Sequence, residues 1–411
     1  MIQTQHHVVV FGATSFVGQI LSHYLFRRHG ADGEFRWALA GRSQDKLQQL
    51  RSQLGEGAQD LPLIVCDAAD ETGLRAMCAG TRVVVSTVGP YALYGSLLVK
   101  VCAESGTDYC DLTGEVQWIS RMINAHEDTA KKSGARIVHS CGFDSIPSDL
   151  GVHFLQQYSE KTYREPCISV RLGVKKLRGG MSGGTVASLM NAVKESIQDP
   201  AVRKVMTNPY ALCPDQGVQG VRQLNVSFTD FNPEARSWLA PFIMASINTR
   251  IVHRSNALSG NAYGAGFTYD ESMMMGPGLS GHARAAAFAS GMAGFMTMAV
   301  LPPTRWLLEK FVVPKPGEGP SPEAQENGCY DYRFFGKTAA GHSVQIKVTG
   351  DRDPGYGSTA KILGEAAACL ALDIPKASKP GGFWTPATLL GDRLIERLTT
   401  HAGLTFEVIG T

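Results

Sequence analysis

The chain has 411 residues, of which 44% are hydrophobic, a composition typical of a protein that folds around a large buried core. Basic and acidic side chains nearly balance, at 39 and 37, which argues against a nucleic-acid partner. The nine cysteines show no paired spacing and no secretory signal opens the sequence, so we expect reduced thiols in a cytoplasmic protein.

The first predicted unit is a strand, a tight turn and a helix. A β-branched run from His7 to Phe11 precedes the turn Gly12 to Gly18, and the apolar pattern from Ile20 to Leu25 predicts an amphipathic helix. Such a turn presents backbone N–H groups at a helix N-terminus, where a pyrophosphate binds. The usual spacing for such a turn is G-x-G-x-x-G. Here the spacing is Gly12-x-x-Ser15-x-x-Gly18, so Ser15 takes the middle position that is usually glycine. The unit predicts a dinucleotide site.

The second predicted strand, Phe35 to Ala40, points to the kind of dinucleotide. It ends in Gly41, Arg42 and Ser43, with Lys46 one turn into the next helix. A free ribose 2′-hydroxyl is usually bound there by a carboxylate, whereas a 2′-phosphate needs a guanidinium and small donors. We therefore predict NADP(H) rather than NAD(H). The alternative is that Arg42 and Lys46 are solvated surface charges.

Further apolar strands alternate with helices as far as about residue 142, near 61–67, 82–89, 108–112 and 135–140. This pattern indicates a parallel sheet covered on both faces. The predicted fold class is α/β, with a Rossmann-type doubly wound parallel sheet and a second α+β domain. We place the NADP-binding Rossmann domain at 1–146 and the α+β substrate and dimerisation domain at 147–350. The C-terminal segment, 351–411, is expected to be helical and to pack back on the Rossmann domain.

An apolar segment, 285–313, complicates this picture. Ala285 to Thr304 carries no charge and has nearly the length of a membrane-spanning helix. We expect first a buried or dimer-interface helix, second a membrane-surface contact and third a membrane span. A homodimer is therefore the expected assembly, with a peripheral membrane contact as an addition.

Ligands of a doubly wound sheet lie over the carboxyl ends of its strands. Asp67 follows the third strand and is expected at the adenine amino group, or else as a helix cap. Hydride transfer also needs a donor for the atom that gains charge, and Tyr94 and Asp144 are the catalytic candidates, although Asp144 also fits a helix cap. The predicted cofactor-binding residues are Gly12, Ala13, Thr14, Ser15, Phe16, Val17, Gly41, Arg42, Ser43, Lys46, Asp67, Thr87, Val88, Gly89, Pro90 and Tyr91.

Two rival chemistries are also considered. A short-chain reductase would carry lysine four residues after a tyrosine, and no tyrosine in this chain does. Cys141 has the place of the nucleophile of a semialdehyde-type reductase, with His253 or His282 as a base, unless it is a small buried thiol. No H-E-x-x-H, His-x-His or paired-cysteine set occurs, so no metal is expected.

Several motifs together resemble one family over nearly the whole chain. They are Gly12-Ala13-Thr14 with Phe16-Val17-Gly18, Gly41-Arg42, Val88-Gly89-Pro90-Tyr91 with Tyr94-Gly95, Asp111-Leu112-Thr113-Gly114-Glu115, the stretch from Gly142 to Asp149, and the stretch from Gly350 to Gly357. The chain resembles the saccharopine dehydrogenase-like oxidoreductases, including the trans-acting enoyl reductases of polyketide-lipid synthesis. The resemblance implies an NADP-binding Rossmann domain, a second domain associated with dimerisation and, for some members, a link to membranes or lipid droplets.

The resemblance implies one of two substrate classes. The enoyl reductases would reduce a double bond of a carrier-bound acyl chain, with NADPH as hydride donor and Tyr94, Asp144 or water as the acid. A dicarboxylic amino-acid substrate would need basic side chains of the second domain, for which Arg171, Lys175, Lys176 and Arg178 are candidates. A second hypothesis, from a different functional class, is a non-catalytic NADP-binding protein that attaches to membranes or lipid droplets as a scaffold.

Overall fold

In the computed structural model, the described residues are 4–180, 183–214, 221–300, 303, 304, 306 and 319–410. Seven parallel strands form the first sheet: β1 His6–Phe11, β2 Trp37–Gly41, β3 Leu63–Val65, β4 Thr81–Ser86, β5 Asp108–Asp111, β6 Arg136–Val138 and β13 Gly382–Trp384. Their spatial order is β13-β6-β5-β4-β1-β2-β3, so the order in which strands are added to the sheet reverses between β1 and β4. This is the Rossmann arrangement predicted from the sequence, with β13 added at one edge.

Helices cover both faces of this sheet. They are α1 Phe16–His29, α2 Gln44–Leu54, α3 Glu71–Ala79, α4 Tyr91–Tyr94, α5 Ser96–Ser105, α6 Val116–Ser133 and α7 Ile146–Tyr163, with a short 3-10 turn at Ala58–Asp60. Because both faces are covered, β1 and β4 place consecutive valines in the core: Val8 to Val10 and Val83 to Val85 are fully buried.

The second sheet is mixed. Its strands are β7 Cys167–Arg178, β8 Asp230–Asn232, β9 Ser237–Pro241, β10 Thr268–Gly276, β11 Cys329–Thr338, β12 Ser343–Gly350 and β14 Leu404–Gly410, in the order β14-β12-β11-β7-β10-β9-β8. β7 and β10 run parallel and the other neighbours antiparallel. β11 and β12 form an antiparallel hairpin whose register runs from Tyr330 opposite Gly350 to Lys337 opposite Ser343.

The remaining helices lie between strands of the second sheet and in the C-terminal segment. They are α8 Gly183–Gln198, α9 Pro200–Thr207, α10 Ala245–Leu258, α11 Gly278–Val300, α12 Pro322–Glu326, α13 Thr359–Leu372, α14 Pro386–Leu389 and α15 Gly391–Arg397, with short turns at Pro354–Ser358, Lys376–Ser378 and Leu398–Ala402. α7 packs on the inner face of the second sheet, where a side chain at Gly151 would meet the Phe334 ring at 2.3 Å. One hydrophobic core therefore runs from the first sheet through α7 into the second.

The C-terminal segment differs from the helical expectation. α13 does pack against α1, where the Tyr24 hydroxyl donates to Glu365 at 2.7 Å. The segment also contributes β13 to the first sheet and β14 to the second. β13 has only three residues, too few to show a strand period in sequence. The domain boundaries at 146 and 350 stay a prediction.

The predicted apolar segment coincides in part with α11. This helix buries only Gly281, Ala285, Ala289 and Ala299, so within one chain it is not the buried helix that we expected. The alanines pack closely, while side chains such as Phe288 and Met298 are exposed. Residues 301, 302, 305 and 307–313 lie outside the described part of the segment. Among the described residues, the length and apolarity of every helix fall short of what crossing a membrane requires.

Candidate active site

The turn between β1 and α1 is built on two glycines. Gly12 has φ +86°, and a Cβ there would lie 2.5 Å from the Val88 side chain. A Cβ on Gly18 would lie 2.2 Å from the Gly12 carbonyl oxygen. Both positions therefore need glycine, because the turn packs directly against the end of β4 and the first turn of α1. A tight turn at a helix N-terminus can present backbone N–H groups to a pyrophosphate.

Ser15, at the middle position of the fingerprint, makes two side-chain hydrogen-bond contacts within the turn. It is the N-cap of α1, and its hydroxyl accepts a hydrogen bond from the Gly18 N–H at 3.0 Å. The same hydroxyl lies 2.9 Å from the Thr87 hydroxyl, which can also donate to the Gly12 carbonyl at 2.9 Å. Ser15 thus stabilises the helix start without closing the turn.

A cleft of about 760 Å³ opens over the carboxyl ends of β1 to β4, and we call it the nucleotide cleft. Its lining includes many predicted residues: Gly12, Thr14, Ser15, Gly41, Arg42, Ser43, Lys46, Asp67, Thr87, Val88, Gly89 and Tyr94. It also includes residues that the sequence analysis missed: Phe11, Cys66, Ala68, Ala69, Leu93, Ser96 and Leu97. A cleft of this volume at the point where strand order reverses suits a dinucleotide.

One end of the nucleotide cleft carries positive charge. Arg42 follows β2 and Lys46 lies in the first turn of α2, whose N-cap Ser43 accepts from the Lys46 N–H at 3.4 Å. Both charged side chains are exposed, and neither forms an ion pair within the described part of the chain. A guanidinium, an ammonium and a helix N-terminus in one place fit a phosphate such as the 2′-phosphate of NADP(H).

Asp67 does not cap a helix. The N-cap of α3 is Asp70, which accepts from the Gly73 N–H at 3.1 Å. Asp67 instead accepts from the Ala69 N–H at 2.9 Å and forms a turn that lines the nucleotide cleft. The helix-cap alternative is therefore wrong for Asp67, and its contact with an adenine stays a prediction.

Five predicted cofactor residues are absent from the lining of the cleft: Ala13, Phe16, Val17, Pro90 and Tyr91. Ala13 is part of the core, and the buried Tyr91 hydroxyl donates to the Ser86 carbonyl at 2.9 Å. The Phe16 ring packs edge-on against Tyr356, with centroids 5.1 Å apart. Whether these five contact a cofactor through their backbone stays a prediction.

The two catalytic candidates lie in different places. Tyr94 ends α4 and lines the nucleotide cleft, with 52% of its surface exposed. Asp144 lies beyond the ends of β5 and β6, where a Cβ on Gly142 would be 3.1 Å from one carboxylate oxygen. Burial raises the pKa of Asp144 to about 7, and the nearby charge of Asp111 adds to the rise. Asp144 does not cap α7, because the N-cap is Ser145, so that alternative is wrong.

The other carboxylates near these strand ends have structural partners. Asp111 lies 2.7 Å from the His139 ring nitrogen and also accepts from the Tyr109 hydroxyl and from two backbone N–H groups. Glu115 accepts from the Tyr91 and Ala92 N–H groups and from the Ser188 hydroxyl, at 2.8–2.9 Å. Asp144, by contrast, receives no hydrogen bond from any described side chain.

Cys141 does not provide a nucleophile. Its side chain is fully buried, and burial raises the pKa of its thiol well above the ordinary value. His253 is also buried, which lowers its pKa to about 3, and His282 packs on the Trp238 ring with centroids 4.2 Å apart. The structure therefore favours the small buried thiol over the semialdehyde-type chemistry.

The basic side chains considered for a dicarboxylic substrate are not available as a set. Arg171 pairs with Asp270 at 3.0 Å and with Asp230 at 2.9 Å, so its charge is already compensated. Lys175, Lys176 and Arg178 lie exposed at the end of β7.

Comparisons with known proteins agree with this geometry. Residues 8–138 match the family described as the saccharopine dehydrogenase NADP binding domain. A Mycobacterium tuberculosis H37Rv protein, provisionally named a trans-acting enoyl reductase, is 41% identical over 400 residues, covering 95% of this chain and 94% of the relative. The trans-acting enoyl reductase of Mycobacterium bovis BCG is 38% identical over 408 residues, covering 96% of each chain. Apo saccharopine dehydrogenase (L-Glu forming) of Saccharomyces cerevisiae shares the fold. The TM-score is 0.53 at 14% sequence identity, and the match covers 98% of this chain and 99% of the yeast chain.

Proposed function

Because this chain belongs to the saccharopine dehydrogenase-like oxidoreductases, we propose that it reduces a carbon–carbon double bond conjugated to a carbonyl group in an apolar, lipid-linked acyl substrate. It is an NADP(H)-binding oxidoreductase. Relatives named trans-acting enoyl reductases, at 38–41% identity, support this reaction class. The observation that carries the proposal is the nucleotide cleft over the carboxyl ends of β1 to β4, which Tyr94 lines, with Asp144 beyond the neighbouring ends of β5 and β6.

The chain's own residues suit the cofactor end of this reaction. The Gly12 to Gly18 turn would hold the pyrophosphate, and Arg42, Ser43 and Lys46 would hold the 2′-phosphate. When bound, NADPH supplies the hydride that forms a new C–H bond at the β-carbon of the substrate.

Asp144 would supply the proton that completes the reduction. When the β-carbon gains the hydride, the π electrons of the double bond move toward the α-carbon and the carbonyl oxygen. Protonation of the α-carbon then consumes these electrons, and the carboxyl group of Asp144 becomes a carboxylate. A carboxyl group with a pKa about 7 can both hold this proton and release it at neutral pH.

Two observations favour an apolar substrate over an amino-acid-derived one. Leu93 and Tyr94 line the nucleotide cleft with 58% and 52% of their surfaces exposed, which offers an apolar surface to an acyl chain. Arg171 is already paired with two aspartates, so a dicarboxylic substrate would have to break that pairing.

A turnover experiment tests the proposal. Purified protein would be mixed with NADPH and a panel of α,β-unsaturated acyl thioesters of increasing chain length, and NADPH oxidation would be followed together with the mass of the product. We expect turnover that rises with chain length and is lost in Asp144→Asn, while the exposed-site control Asp128→Asn keeps it. Calorimetric binding of NADPH without oxidation by any thioester would favour the non-catalytic alternative.

We propose a homodimer as the assembly, with a membrane-surface contact in second place. The support is α11, which leaves Leu279, Phe288, Met298 and Val300 exposed in the single chain. Light scattering would detect the dimer, and sedimentation with lipid vesicles would detect the membrane contact. A monomer that stays in the supernatant contradicts both.

A further inference from the structure

The inference concerns Ser96, a residue of the nucleotide cleft that the sequence analysis did not single out. It is the first residue of α5, and it lines the cleft together with Leu93, Tyr94 and Leu97. Its hydroxyl oxygen accepts a hydrogen bond from the indole N–H of Trp118 at 2.9 Å. Because an indole nitrogen can only donate, this contact uses a lone pair of Ser96 and leaves the hydroxyl hydrogen available.

Ser96 differs from the other side chains on this wall of the cleft. Leu93 and Leu97 have no polar side-chain atom, and Tyr94 has 52% of its surface exposed. Among the described residues, Trp118 is the one hydrogen-bond partner of the Ser96 side chain. Ser96 is therefore a hydroxyl that the fold holds in place and that still has a hydrogen to donate to a ligand.

Packing around Trp118 fixes the oxygen of Ser96. The indole is fully buried, and its centroid lies 5.4 Å from that of Tyr91 and 5.0 Å from that of His139. A Cβ on Gly95 would lie 2.7 Å from the indole, so glycine lets the start of α5 rest directly on Trp118. A hydroxyl held in this way loses little conformational entropy when a ligand binds. Accepting from Trp118 also polarises the hydroxyl, which makes it a stronger donor.

The position of Ser96 along the sheet indicates which part of a cofactor it would meet. The cleft lining follows the strand order, with Asp67 after β3, Arg42 after β2 and Gly12 after β1. α4 and α5 follow β4, which lies on the other side of β1 from Arg42. A dinucleotide with its 2′-phosphate at Arg42 and its pyrophosphate at the turn after β1 extends its second nucleoside toward β4. The nicotinamide riboside then lies on the Ser96 side of the cleft.

We propose that Ser96 binds the nicotinamide riboside of NADP(H), with its hydroxyl donating a hydrogen bond to an oxygen of that group, and that Trp118 positions Ser96 for this contact. The ribose hydroxyl groups and the carboxamide oxygen of the riboside can all accept. The inference rests on the cofactor orientation in the proposed function, with the 2′-phosphate at Arg42. It does not depend on the acyl substrate.

Two ligands separate this contact from a general effect on the cleft. NADPH carries the nicotinamide riboside, whereas adenosine 2′,5′-bisphosphate has the adenosine and the 2′-phosphate without it. We expect Ser96→Ala to raise the Kd for NADPH about fivefold, as for one lost hydrogen bond, and to leave the Kd for the bisphosphate unchanged. Ser105→Ala, exposed at the other end of α5, should change neither value. Calorimetry on the full chain measures both affinities, and an unchanged Kd for NADPH or an equal loss for both ligands overturns the proposal.

The indole N–H of Trp118 gives a second measurement on the unaltered protein. In the full chain labelled with nitrogen-15 at tryptophan, the Trp118 signal is identified by its absence from Trp118→Phe. NADPH should move this signal downfield, because a hydroxyl that donates to the cofactor becomes a stronger acceptor for the indole. Adenosine 2′,5′-bisphosphate should leave the signal in place. A signal that NADPH does not move, or that both ligands move alike, contradicts the proposal even if Ser96→Ala is insoluble.

The failure of this inference and that of the proposed function are distinguishable. Neither measurement uses an acyl substrate, so a protein that reduces no thioester but loses NADPH affinity in Ser96→Ala keeps the inference while the proposed reaction fails. A cofactor bound in the opposite direction would reverse the ligand pattern. Arg42→Asp would then weaken NADPH and spare the bisphosphate, and Ser96→Ala would weaken both, which overturns the inference.

Discussion

The hydroxyl groups of Ser15 and Thr87 lie 2.9 Å apart and join the turn after β1 to the end of β4. Thr87 can also donate to the Gly12 carbonyl, and Ser15 caps α1. Side-chain hydrogen bonds, rather than glycine alone, therefore fix the distance between the two strand ends that would enclose a pyrophosphate and a ribose.

Replacing Thr87 by valine tests this arrangement, because the shape is kept while the hydroxyl is lost. We expect the Kd for NADPH to rise about fivefold, equivalent to about 1 kcal/mol for one lost hydrogen bond. Calorimetry would measure the affinity, with Thr400→Val on an exposed helical site as the control. An unchanged Kd would show that the hydroxyl pair does not organise the cleft.

Arg42 should decide between the two nicotinamide cofactors. Arg42→Asp removes the guanidinium and places a carboxylate where a 2′-phosphate would lie, so NADPH affinity should fall about 10- to 100-fold, as expected for the loss of a hydrogen bond to a charged group. NADH affinity should hold or improve. Fluorescence titration with both cofactors measures the ratio, and Arg393→Asp, exposed on α15, is the control. Retained preference for NADPH in Arg42→Asp would refute the assignment.

The parts of the site that could be predicted from the sequence are recognisable from a few neighbouring residues. Gly12 and Gly18 are required by backbone packing at a fixed spacing, and Arg42 follows a buried strand directly, so both can be seen in a short window of sequence. The opposite side of the cleft, with Leu93, Ser96 and Leu97, consists of ordinary residues at the start of a helix. Nothing in their chemistry distinguishes them from core positions.

Other features depend on contacts between distant segments. The raised pKa of Asp144 results from burial in the folded chain, and buried Glu271 accepts hydrogen bonds from Asn248 on α10 and from Tyr269 on its own strand. β13 joins the first sheet beside β6 although they are far apart in sequence. A pattern within a few residues cannot reveal such partners, whereas it did reveal the parallel strands and their helices.

Glu365 should stabilise the docking of α13 on α1. It is fully buried, pairs with Arg397 at 2.9 Å and accepts from the Tyr24 hydroxyl. Among the described residues, Glu365→Ala leaves Arg397 with Asp373 alone as an ionic partner, so we expect the free energy of unfolding to fall by about 3–5 kcal/mol. Urea denaturation measures the change, with the exposed Glu396→Ala as the control. A loss no larger than that of the control would mean that the buried pair contributes little.

Glu271 predicts how stability depends on pH. Burial raises its pKa from 4.5 to about 7, so between these values the folded state binds a proton that the unfolded state has released. The free energy of unfolding should therefore fall as the pH rises from about 4.5 to 7, by up to about 3 kcal/mol from this group. Glu271→Gln cannot ionise and should flatten this part of the curve, whereas the exposed control Glu326→Gln should keep it. Denaturant titrations at pH 5 and 7.5 give the change in the free energy of unfolding between the two pH values. An equal change in Glu271→Gln and the parent would show that Glu271 ionises in the folded state as readily as in water.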